Sequence, residues 1–215
     1  MNPLVKQANE LLQGQPFEYA VCGGMAIDMF LGYESRRHGD IDILAFYPDR
    51  DKIIKYMQSI GYEVYEMLGG GKCHHITDTE DQQIAENNIF CTKDNCELVH
   101  LHPTSEKDVY FLEFDHVGLT KLNFIEFLFD EKSDTEFLYK RNHNIRLALD
   151  KAILFADGIP FLAPEVCLLY KSTDVQREGY QQDYEKAMEK MSEEQRLWLN
   201  NSLIAMYPDG HKWIV

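Results

Sequence analysis

The sequence predicts an α/β fold: a mixed β-sheet flanked by helices and followed by a helical C-terminal segment. Three observations predict it. Up to Met67 helical and strand periodicities alternate, the middle holds short strand patterns between turn residues, and the chain from Pro164 onward reads as helices. A length of 215 residues suits a core domain, placed here over 1–157, with a helical appendage over 158–215.

The elements follow in order. Leu4, Ala8, Leu11 and Leu12 share a face of an amphipathic helix over 3–13, which Gly14 and Pro16 break. A short apolar strand over 19–22 leads into a Gly23-Gly24 turn and a helix over 25–31 that Gly32 ends. Acidic and apolar residues alternate over 40–46, a strand pattern; 49–60 is helical and 62–67 returns as a strand. Further strands are expected over 88–92, 97–102, 109–114, 123–129 and 136–139. The turns Lys93-Asp94-Asn95 and 130–134 separate some of them. Pro164 opens a helix to Lys171, a second helix runs over 179–191, and Ser192 to Gln195 offers a cap for a third to Met206.

Composition narrows the partners. A net charge of −15 repels polyanions, which argues against long nucleic acid and anionic membrane, and suits a cationic ligand or a metal-neutralised acidic site. The start shows no secretory leader and no apolar run reaches membrane-spanning length, so a cytoplasmic location is expected. The five cysteines have no framework spacing and read as reduced thiols. Cys73-His74-His75 with Cys91 and Cys96 fits no standard zinc spacing. Gly69-Gly70-Gly71-Lys72 lacks the phosphate-loop spacing and reads as a hairpin tip.

The chemistry concentrates in residues 22–43. Asp40 and Asp42, two apart on a strand, project from one face within reach of one metal ion. Mg2+ takes one or two carboxylates together with phosphate oxygens. Upstream, Gly23 and Gly24 between a strand and a helix let backbone N–H groups approach a phosphate closely. Arg36 either contacts phosphate or anchors its loop, His38 orients the Asp40 loop, and Asp28 either touches substrate or serves its helix end.

Gly23, Gly24, Ala26, Asp28, Gly32, Arg36, His38, Asp40, Ile41 and Asp42 form a run that resembles the signature of the aminoglycoside 2''-adenylyltransferases and their lincosamide nucleotidyltransferase relatives. Residues 158–171, with Gly158, Pro160, Pro164, Glu165, Leu168, Leu169 and Lys171, are similar to a second segment of that family. Residues 137–145, with Lys140, Arg141 and Ile145, are similar to a third. Where the family carries Lys-Asp-x-x-Asp-Phe, only Asp183 and the aromatic Tyr184 persist.

The resemblance implies a nucleotidyltransferase fold and a nucleotidyltransferase enzyme. Its cofactor would be Mg2+, two ions at Asp40 and Asp42, with a nucleoside triphosphate, ATP first, as co-substrate. Gly23, Gly24, Arg36 and Lys171 would bind the nucleotide, and a third carboxylate would take the acceptor's proton. Glu126, an acid inside an otherwise apolar strand, is the leading candidate, with Glu113 and Glu97 as rivals. The implied acceptor is a small hydroxylated molecule such as an aminoglycoside. A protein hydroxyl, or a nucleotide-binding module without catalysis, are the alternatives.

Overall fold

The computed structural model describes residues 1–84, 87–115 and 118–215. From the N-terminus the elements are helix α1 (Pro3–Leu12), strand β1 (Tyr19–Val21), α2 (Gly23–Leu31), β2 (Asp42–Phe46), α3 (Arg50–Ser59), β3 (Glu63–Gly69) and β4 (Lys72–Ile76). Then come β5 (Ile89–Thr92), β6 (Val99–Pro103), β7 (Val109–Phe114), β8 (Phe124–Lys132), β9 (Glu136–Leu138) and β10 (Arg146–Ala148). The short α4 (Leu149–Ala152), β11 (Ile153–Ala156), β12 (Ile159–Leu162), α5 (Pro164–Lys171), α6 (Tyr180–Lys190) and α7 (Glu193–Met206) complete the chain. They divide between two compact units, one made of Met1–Asn2, Ala20–Arg37 and Asp130–Val215, the other of Pro3–Tyr19 and His38–Phe129.

The second unit is a sheet of order β2-β8-β5-β3-β4-β7-β6. The β3–β4 hairpin turns at Gly70-Gly71, and β5 joins β3 and β8 by antiparallel pairing. The register sets Tyr65 opposite Phe90 and Phe90 opposite Glu126, so these three share one face. On that face the rings of Tyr65, Phe90 and Phe124 stack at 5.1 and 5.8 Å among buried Cys73, Leu98 and Val99. Val64, Cys91 and Ile125 line the other face, and Ile53, Ile54 and Met57 of α3 are buried with them. Each fully buried aliphatic or aromatic side chain adds about 1.5–3 kcal/mol, so this two-sided burial stabilises the sheet.

In the first unit β1 runs parallel to β12, with Val21 opposite Phe161, and β11 pairs antiparallel with β12. Helix α2 buries Met25, Ala26, Ile27 and Leu31 and packs on α5 and α6, while α5 also packs on α7. Helix α5 is buried almost all round, including Val166, Leu168 and Leu169. The capping box at Ser192 and Gln195 that opens α7 agrees with the sequence signal.

The sequence boundaries need corrections. Helix α2 starts at Gly23, not Met25, because Gly23 takes φ +65 and lets the helix begin directly after Cys22. Strand β2 starts at Asp42, and Asp40 lies in the bend before it. Strands β4, β10, β11 and β12 were not anticipated. The 157/158 position is not one of these corrections and lies in the turn between β11 and β12.

Candidate active site

In the second unit the alternation of Asp40-Ile41-Asp42-Ile43 has a direct physical outcome. Ile41 and Ile43 are 0% exposed, whereas Asp40 and Asp42 stay half-buried. The isoleucines are thus buried in the core while the two aspartates between and before them keep access to solvent. Beside β2 in this sheet runs β8. The Glu126 N–H donates to the Ile41 carbonyl at 3.2 Å, which sets the backbone of Glu126 against the residue between the two aspartates. Glu126 is half-buried between fully buried Ile125 and Phe127.

Its rivals lie elsewhere in the sheet order. Glu113, on β7, meets His102 Nε2 at 3.2 Å with its side chain 71% exposed, and Glu97 is exposed in the turn before β6. Among the described residues no three His, Cys, Asp or Glu side chains gather to hold a metal ion. Two aspartates are nonetheless a donor set that suits Mg2+ arriving with a nucleotide, because phosphate oxygens then complete its shell.

The cysteine and histidine run on β4 has another use. Cys73 is buried in the core, and His75 pairs with Glu63 at 2.6 Å. His74 Nδ1 meets the buried Glu66 at 2.9 Å, and Glu66 also accepts the N–H groups of Gln83 and Ile84 and an Arg50 N–H at 3.4 Å. This network holds the segment after β4 to the sheet. None of the five cysteines forms a disulfide.

In the first unit α2 follows β1 without a loop. The first-turn N–H groups of a helix have no intrahelical partners, so those of Gly23 and Gly24 stand at the positive end of α2 with no side chain to keep an anion away. The loop after α2 is tied down. Ser35 N–H donates to Asp28 Oδ1 at 2.9 Å, and the Ser35 carbonyl accepts from Lys186 at 2.6 Å and Gln182 at 3.2 Å. Asp28 thus serves its own helix end and the loop that carries Arg36.

Arg36 meets Asp183 of α6 as a fork, Nε to Oδ1 at 2.8 Å and Nη2 to Oδ2 at 2.9 Å. Lys171, at the end of α5, reaches the same Oδ2 at 3.0 Å and lies over the Tyr180 ring at 4.1 Å. Burial works against the Arg36 charge, but the hydrogen bonds and charge of Asp183 outweigh it and hold the guanidinium pKa above its ordinary value. Arg36 and Lys171, both expected at the nucleotide, therefore meet on one carboxylate. The Lys140 backbone N–H donates to Asp130 at 3.1 Å, and the Arg141 guanidinium bonds the Tyr170 carbonyl at 3.0 Å.

Sequence reasoning gave Asp183 no role beyond its place in a partial motif. The available signal was an acid four residues before Ala187, on the buried side of an amphipathic helix, where a carboxylate requires a cation.

The model of the aminoglycoside-2''-adenylyltransferase family matches residues 4–103. No curated protein sequence matches the chain. Among solved structures, the lincomycin-bound lincosamide antibiotic adenylyltransferase LnuA superposes with a TM-score of 0.52 at 14% identity, covering 89% of this chain and 98% of that one. ANT(2'')-Ia in complex with adenylyl-2''-tobramycin superposes with a TM-score of 0.53 at 13% identity, covering 96% of this chain and 99% of that one. At such identities the superpositions speak for the fold. The chain thus has the fold of these nucleotidyltransferases, and over residues 4–103 it resembles the aminoglycoside-2''-adenylyltransferase family.

Proposed function

We propose that the chain transfers a nucleoside monophosphate from a nucleoside triphosphate, ATP first among them, to a hydroxyl of a small antibiotic-like acceptor. Asp40 and Asp42 would hold Mg2+, two ions in the full site. When bound, the metal neutralises charge on the triphosphate and stabilises the oxygens of an in-line displacement. The N–H groups of Gly23 and Gly24 cradle phosphate, and Arg36 and Lys171 supply positive charge to it. Glu126 accepts the proton of the acceptor hydroxyl, whose oxygen bonds to the α-phosphorus as the bond to the β-phosphate bridging oxygen breaks. The nucleotidylated acceptor and pyrophosphate are the products, and the proton passes from Glu126 to solvent.

One observation supports this reading most. Glu126 hydrogen-bonds through its backbone to Ile41, the residue flanked by Asp40 and Asp42. The acceptor class is supported by the neighbours of the same fold, one bound to lincomycin and one to an adenylylated tobramycin. The net charge of −15 suits a cationic drug of the second kind. The same chemistry would modify such an antibiotic and confer resistance.

The test is nucleotide-dependent thermal stabilisation with Mg2+, comparing wild type with Asp42→Ala, followed by pyrophosphate release with aminoglycoside and lincosamide acceptors. A nucleotide at about a hundred times its Kd stabilises by about 2.7 kcal/mol. Metal-dependent stabilisation of wild type alone, with turnover lost in the variant, is expected. Equal turnover in both proteins would remove Asp42 from the chemistry.

A further inference from the structure

Asp183 is fully buried, and both its oxygens are engaged by cations. Its three-residue cluster grades in exposure: Asp183 0%, Lys171 6% and Arg36 22% of the side chain. Of the two cations assigned above to the triphosphate, Arg36 keeps the larger accessible surface, while Lys171 is enclosed between Asp183 and the Tyr180 ring. Arg36 uses Nε and Nη2 for the carboxylate and Nη1 for the Arg37 carbonyl at 3.3 Å. A guanidinium gripped along one edge has its plane fixed, and its remaining N–H groups point in a set direction.

A carboxylate beside a phosphate-binding cation is electrostatically adverse, because it cancels half of the positive charge of the pair. Geometry gives it a purpose. We infer that Asp183 is a positioning residue for nucleotide binding: it clamps the Arg36 guanidinium in one orientation before the triphosphate arrives, and Lys171 acts through Asp183 by neutralising the clamp. The clamp removes rotamer freedom that a mobile arginine would lose on binding. The inference rests on the nucleotidyltransferase reading of this site.

Gly179 supplies a second, independent sign that this orientation is built in. It precedes α6 at φ +82, and a Cβ placed there would lie 2.7 Å from Arg36 Nε and 2.9 Å from Cζ. Its carbonyl accepts the Asp183 N–H at 2.9 Å. The guanidinium thus lies directly against the backbone that carries its clamp, in room that only glycine leaves.

The experiment is a double-mutant cycle on the full chain. Mg·ATP affinity is measured by calorimetry well below the Tm of every variant, for wild type, Asp183→Asn, Arg36→Ala and the double variant. Positioning predicts that Asp183→Asn weakens Mg·ATP by about ten- to a hundredfold, the range for losing a residue that orients a ligand group. It also predicts that the same substitution changes little when Arg36 is already alanine. A bystander carboxylate predicts the opposite sign, tighter binding on neutralisation. A purely structural Asp183 predicts a lower Tm with unchanged affinity. Either result, in a wild type that binds Mg·ATP, overturns the inference and leaves the functional reading standing. A wild type that binds no nucleoside triphosphate overturns both. If Asp183→Asn does not fold, Gly179→Ala takes its place, since it displaces Arg36 without changing any charge. Weaker binding is then expected, and wild-type affinity would refute the clamp.

Discussion

At the scale of the residue, Asp130 has the clearest consequence. It is 3% exposed at the end of β8, where it accepts the Tyr170 hydroxyl at 2.5 Å and the Lys140 N–H at 3.1 Å. Burial outweighs these bonds and pushes its carboxyl up to about 7. The sign follows from linkage. Between the ordinary carboxyl value of about 4 and this raised value, the folded chain holds a proton that the unfolded chain has lost. Stability from this group is therefore full at low pH and falls as pH rises toward 7. Asp130→Asn is neutral at every pH, so it should stabilise the protein at pH 8 relative to its effect at pH 5. The difference should be on the order of 2 kcal/mol, several degrees of Tm in a chain of this size. Glu165, also pushed up to about 7 by burial, is common to both proteins and cancels from the comparison. Equal Tm differences at the two pH values would show that Asp130 is ionised in the fold throughout.

At the scale of the element, α7 joins a local signal to a long-range contact. Ser192 Oγ accepts the Gln195 N–H at 3.2 Å, and Gln195 Oε1 accepts the Ser192 N–H at 3.0 Å. The other end of the same amide donates to Glu165 Oε2 at 2.8 Å. Ser192→Ala should cost about 1 kcal/mol, the worth of an N-cap. Gln195→Ala should cost about 1–3 kcal/mol more, because it leaves the buried Glu165 carboxyl without this donor. The excess should grow above pH 7, where Glu165 ionises; denaturant melts at pH 6 and 8 measure it, and equal losses for both variants would detach α7 from Glu165.

The capping box was legible in the sequence because its residues are three apart. The Gln195–Glu165 bond was not, because its partners are 30 apart. Strand β4 escaped for a related reason: His74 is buried on Glu66, so a polar residue occupies an inward position and conceals the alternation. Strand β12 escaped because four residues between Gly158 and Pro164 carry too little period to read. At the candidate site, spacing singled out Gly23, Gly24, Asp40 and Asp42, and the family resemblance of residues 23–42 suggested their roles. The fork between Arg36 and Asp183, 147 residues apart, belongs to tertiary structure only.

At the scale of the whole molecule, the chain does not visit its two units in turn. It passes between them near residues 3, 20, 38 and 130, so neither unit is one continuous stretch. The first unit draws α2 from the N-terminal part of the sequence and α5, α6 and α7 from its end. A fragment ending at residue 157, the sequence-based boundary, keeps β1 and α2 but lacks β12, α5, α6 and α7. Val21 then loses its parallel partner Phe161, and Met25, Ala26, Ile27 and Leu31 lose the helices that cover them. The three large ones, Met25, Ile27 and Leu31, forfeit on the order of 5 kcal/mol or more, comparable with the whole stability of a domain. Arg36 also loses both Asp183 and the neighbouring Lys171. The fragment should therefore self-associate or melt without a cooperative transition, as read by size-exclusion chromatography and circular dichroism, and it should not bind Mg·ATP. A monomeric fragment with a sharp melt would mean that residues 1–157 fold alone, and that the C-terminal helices dock onto a preformed core instead of completing it.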